Sequence, residues 1–220
     1  MANQNTNPVT LENLQRGIDQ VFTRLNEQGK PSKGHWKFHN DLYCRLEEHR
    51  MRGLDQRFWI FLVDKLWEWK AIRGTSVHTK KFIHDEGLER FTEVQRCFTR
   101  LAGNKANILP MIESLDWADV EPLFNVAVQI KGVSSPTFAS KLCHFLVPGA
   151  YFVFDRILIK RGWSDYRQYW EGCRAEWLKQ SGTQALKDTL KRNMPYNSIS
   201  CATYPWPTKI TELCQFDVRT

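Results

Sequence analysis

The stretch TLENLQRGIDQVFTRLNEQ, residues 10–28, sets the class of fold. Its Leu11, Leu14, Ile18, Val21, Phe22 and Leu25 recur at spacings of three and four, which stacks them on one face of an α-helix. The same period returns along the chain, cut at intervals by Gly and Pro. A second helix is expected at 36–50, stopped by Gly53. A third is expected at 54–74, where Phe58, Leu62, Leu66 and Trp69 form a broad apolar face closed by Gly74. TSVHTKKFIH (75–84) reads as an irregular basic connection, and 85–103 as one further helix with a Gly stop. Another begins near Trp117, with Asp116 as N-cap and Pro122 close to its start. After the turn KGVSS, a helix spans Pro136 to Leu146, and 166–180, 182–193 and a short 208–216 follow. The expected fold is all-α: one domain of two helical lobes, residues 1–110 and 111–220. VFDRILIK, 153–160, has an apolar run that also fits a strand.

Composition narrows the function. With 220 residues and 42% hydrophobic content the chain can bury a core, and nine Trp and thirteen Phe give it bulky fillers. No run approaches the ~18 uninterrupted apolar residues of a membrane span. The opening MANQNTNPVT lacks the charged start and apolar core of a signal peptide, so the expected location is the cytoplasm, at the nucleoid. Six cysteines (44, 97, 143, 173, 201, 214) contain no CxxC pair, which argues against a zinc ribbon or an iron–sulfur cluster. Free thiols are expected. No glycine-rich nucleotide loop is present. His35 and His39 stand at helical spacing without an HExxH, so no metal is expected. A net charge of +7 points to a polyanion, nucleic acid being the commonest.

The most specific stretch is GVSSPTFASKLCHFLVPGAYFVFDRIL, residues 132–158. Gly132 lets two helices join through a tight turn. The amides of that turn and of the second helix's first residues are expected to point outward, where the helix dipole favours a phosphate. Lys131 and Lys141 flank the turn and add long-range attraction. A lone carboxylate, Asp155, then follows the apolar run Tyr151–Phe154. Asp155 is either a helix cap or a catalytic acid. Arg156, next to it, is placed to bind a phosphate or to pair with it.

Ile130, Gly132, Val133, Thr137, Ala139 and the acid 23 residues after Gly132 resemble the helix-hairpin-helix DNA glycosylases over roughly residues 112–162. In that superfamily a Gly-Val-Gly hairpin leads into a helix rich in small residues, and an acid stands at about this distance beyond it. The resemblance implies a glycosylase-like fold in which Asp155 is catalytic. It implies that Lys131, Gly132, Val133, Ser134, Ser135, Thr137, Lys141 and Arg156 grip double-stranded DNA. Ser134 replaces the second hairpin glycine. Pro136 stands about where bifunctional members carry a nucleophilic lysine, and Lys141, further along, should face differently. The implied enzyme is monofunctional: it excises a damaged or modified base and leaves the backbone uncut. It implies no organic cofactor, and at most a monovalent cation at the hairpin. No obligate protein partner is implied, and repair and defence against modified phage DNA both remain open.

Other residues are candidates by chemistry alone. Trp36, Phe38, Tyr43, Trp67 and Trp69 could stack on a flipped base, although on helical stripes they fit a core equally. His39, Asn40 and Asp41 are candidates to read its edge. The basic runs SVHTKKFIH and KRG (160–162) could contact phosphates or simply face water. Two other readings stand beside the enzyme: a helix-hairpin-helix module that binds DNA without chemistry, and a helical interaction domain whose charge is incidental.

Overall fold

The computed structural model describes residues 6–23, 33–69, 71–72, 78–103, 109–132, 135–155, 158, 162–163, 165–194, 201 and 203–216. Among these residues the chain is all-helical, with ten α-helices and no strand. They are α1 (Leu11–Thr23), α2 (Lys33–Met51), α3 (Gln56–Glu68), α4 (Lys80–Glu89), α5 (Phe91–Ala102), α6 (Trp117–Lys131), α7 (Pro136–Leu146), α8 (Tyr166–Leu178), α9 (Thr183–Asn193) and α10 (Trp206–Gln215), with a 3-10 turn at Ile112–Ser114. No described helix is long and apolar enough to cross a membrane.

Local chemistry explains most boundaries. Asp116 accepts the Asp119 N–H, and Asp119 accepts the Asp116 N–H in return, a reciprocal cap that starts α6. Asp55 caps α3 through the Phe58 amide, and Pro136 opens α7. The basic connection expected at 75–84 is shorter than its composition suggests. Thr79 accepts the Phe82 N–H and starts α4 at Lys80. The single helix expected over 85–103 is also divided, at Arg90. There the Arg90 backbone N–H and guanidinium both donate to the Glu86 carbonyl.

Two helices lie at the centre. In α7 every residue from Phe138 to Leu146 is buried, and in α10 every residue from Pro207 to Gln215. The partners of α7 are α6, its most extensive neighbour, with α2 and α3; those of α10 are α1, α8 and α9. One hydrophobic cluster runs through both surroundings. Several of the buried polar residues in α10 find partners. Thr208 donates to the Pro148 carbonyl at 2.8 Å, and the Gln215 side chain both accepts from and donates to the Asn7 backbone.

Candidate active site around Asp155

Val147, Pro148 and Gly149 end α7, and residues 150–155 run on without helix or strand. A buried segment of that kind must find partners for its backbone elsewhere. Here side chains supply them. The Trp170 ring N–H donates to the Ala150 carbonyl at 2.8 Å, and His144 Nδ1–H donates to the Tyr151 carbonyl at 2.7 Å. The Tyr166 hydroxyl donates to the Phe152 carbonyl at 2.9 Å. Glu212 Oε1 accepts the Val153 N–H at 2.5 Å, and Ser140 Oγ accepts the Phe154 N–H at 3.0 Å. The Tyr169 hydroxyl reaches the Val153 carbonyl, and the Tyr151 hydroxyl donates to the Val120 carbonyl. Tyr151, Phe152, Val153 and Phe154 are all buried. Asp155 is the first side chain of the segment to reach solvent, and its carbonyl accepts the Leu158 N–H at 2.9 Å. The backbone leading to this carboxylate is thus fixed at nearly every residue.

The groups doing the fixing are held in defined protonation states. Burial pushes the His144 imidazole down to about 4, against the pull of Glu212, so the ring is neutral. Its Nδ1–H goes to Tyr151, which leaves Nε2 to accept the Tyr43 hydroxyl. Burial likewise raises the phenols of Tyr43, Tyr151, Tyr166 and Tyr169 well above their ordinary value, keeping them as donors. Glu212 is ion-paired to Lys209 at 3.0 Å, both buried.

Lys141 differs from expectation. Its side chain turns to Asp155. It is only 7% exposed, and its ammonium lies 3.4 Å from Asp155 Oδ2 and 4.7 Å over the Trp69 ring. The cause is the depth of α7. Buried on every side, the helix carries Lys141 one turn before Phe145, and the ammonium meets the Asp155 carboxylate. Trp69 meets Phe145 and His39 edge-on, at 5.4 Å and 4.6 Å between ring centres.

The hairpin residues gather at the α6–α7 junction. Gly132 takes a positive φ of 102° that favours glycine, and its N–H closes α6 on the Val128 carbonyl. Lys131, Ser135 and Thr137 are half-buried beside it, with the Lys131 ammonium 5.9 Å over the Phe138 ring. Not all the amides point outward as expected. The Ser135 N–H donates to the Gly132 carbonyl and the Phe138 N–H to the Ser135 carbonyl, because the turn tightens through short-range bonds of its own. Val133, Ser134 and Arg156 lie outside the described residues, as do Lys160, Arg161 and the side chains of His35, Trp36 and Phe38.

Other candidates sort by burial. Tyr43 is a core residue in the His144 network, with no face for a base. Asn40 is buried and accepts the Tyr204 hydroxyl, whereas Asp41 is exposed. Trp69 and Trp67 are half-buried. Lys80 pairs with Asp64 at 2.6 Å and Lys81 with Asp85, so both carry counter-charges. Sequence reasoning missed Ser140, His144, Glu212 and the two tyrosines of α8. Polar residues inside the apolar run ASKLCHFL were the available signal for the first two. No protein-family model, curated protein or solved structure matches this chain.

Proposed function

We propose that the protein is a DNA glycosylase that turns a damaged or modified base out of the duplex and hydrolyses its N-glycosidic bond, leaving an abasic site. One observation carries this reading. A segment without secondary-structure partners is braced by buried side chains, and it delivers a single carboxylate, Asp155, to the surface. Breaking an N-glycosidic bond builds positive charge on the sugar. A carboxylate fixed beside that sugar stabilises the charge and orients the attacking water. Fixed geometry matters because a misplaced group loses much of its effect.

Grip on duplex DNA falls to the α6–α7 hairpin, with Lys131, Gly132, Ser135 and Thr137 at its turn, and the net charge of +7 favours the encounter. Pro136 offers no amine at the start of α7, which favours hydrolysis with the strand left intact. Repair of damaged DNA and defence against modified phage DNA would use the same chemistry on different bases.

A second reading, a helix-hairpin-helix module without chemistry, is favoured by the ion pair that already neutralises Asp155. Duplexes carrying uracil, 8-oxoguanine, alkylated purines, or hydroxymethylated or glucosylated cytosine separate the two. Breaks that appear only after alkali support the glycosylase. Tight, salt-sensitive binding with no product from any duplex supports the module.

A further inference from the structure

The contact between Lys141 and Asp155 has a chemical use. A carboxylate that is already neutralised is a weak stabiliser of a sugar cation. That changes if the lysine's proton moves during the reaction. We propose that Lys141 is the proton donor to the departing base, and that Lys141 and Asp155 form a self-resetting proton-transfer pair. This rests on the glycosylase reading above and deepens it.

The step balances without a further reactant. As the N-glycosidic bond breaks, its electron pair goes to the base, and the Lys141 ammonium gives the base a proton at a ring nitrogen or carbonyl oxygen. Lys141 becomes a neutral amine, so its charge no longer offsets that of Asp155 at the moment the sugar cation forms. The attraction is therefore stronger in the transition state than in the ground state, which is the condition for catalysis. Water then bonds to C1′ and its proton passes to the Asp155 carboxylate. The amine and carboxylic acid left behind lie at the 3.4 Å separation of the original pair, and one proton transfer restores ammonium and carboxylate. Water and the nucleotide are consumed; an abasic sugar and a neutral base are produced.

The surroundings suit the role. The Trp69 ring, 4.7 Å from the ammonium, favours the charged form at rest and offers the base an aromatic neighbour. Its own position is set by the edges of His39 and Phe145. Because Lys141 is nearly enclosed, bulk water has little access to the proton it gives.

Three proteins test the proposal on the duplex panel: wild type, Lys141→Arg and Lys141→Ala. The reading is free base released under saturating substrate, not strand breaks, because added amines cut abasic sites themselves. Lys141→Arg keeps the charge, the ion pair and the contact with Trp69, but guanidinium is a poor acid. Its kcat is expected to fall by about 10²-fold with KM unchanged. Methylammonium is expected to restore release to Lys141→Ala, whereas tetramethylammonium, charged but without a proton, is not. Wild-type kcat in Lys141→Arg would overturn the proposal and leave the glycosylase standing. So would covalent trapping of wild type on DNA by borohydride, which would make the amine a nucleophile. Release of no base from any duplex would overturn the glycosylase reading, and this proposal with it.

Discussion

Glu212, on the last described helix, accepts the backbone N–H of Val153 at 2.5 Å, two residues before Asp155. The same carboxylate holds the Lys209 ammonium at 3.0 Å and faces His144 Nδ1 at 3.6 Å. A helix at the end of the chain thereby fixes the segment that presents the candidate acid.

Glu212→Gln keeps an oxygen for the Val153 N–H but removes the charge that Lys209 faces in the interior. A stability loss of about 3 kcal/mol is expected, read from the urea midpoint. Adding Lys209→Met should restore part of it. Losses that simply add in the double variant would mean that the two residues are not coupled.

His144 makes stability depend on pH. Its ordinary value of 6.5 falls to about 4 in the folded protein, so between these values the unfolded chain binds a proton that the folded chain refuses. The contribution is complete above pH 6.5 and is lost as pH falls toward 4, about 3 kcal/mol in all. His144→Gln can still accept from Tyr43 and donate to Tyr151. The slope between pH 7 and 4.5 is expected to be shallower in that variant, and an equal slope would remove His144 as its source.

Ser140→Ala leaves the Phe154 N–H buried without its acceptor. The expected cost is about 2 kcal/mol, measured by denaturation. Base release should slow as well, because Phe154 directly precedes Asp155. Full stability with unchanged release would show that the segment does not need this anchor.

Gly17 lies where α1 crosses α10, and a Cβ there would sit 2.0 Å from the Leu213 carbonyl oxygen. Gly17→Ala must push α1 off α10, beside Glu212, at an expected cost of about 1–3 kcal/mol. A melting temperature equal to wild type would mean that the crossing is looser than the distance implies.

Much of the helical pattern was legible because its signals are local. Asp116 and Pro136 mark the starts of α6 and α7 in the sequence itself. The break at Arg90 was not, since no glycine or proline stands at it. The site divides in the same way. Asp155 stands out after an apolar run, but its partner does not. A helix buried on every side has no polar face, so period alone cannot say which way Lys141 points. Glu212 lies 59 residues along the chain from the amide that it accepts, in the segment PTKITELCQ. Only tertiary packing reveals its role.

The most direct measurement is single-turnover release of free base by wild type and Asp155→Asn, on whichever duplex of the panel wild type processes, with the affinity of both proteins for that duplex measured in parallel. Asparagine fills the same space without the charge. Release is expected to fall by about 10³-fold while binding is retained. Release at the wild-type rate by Asp155→Asn would contradict the assignment of Asp155 as the catalytic acid.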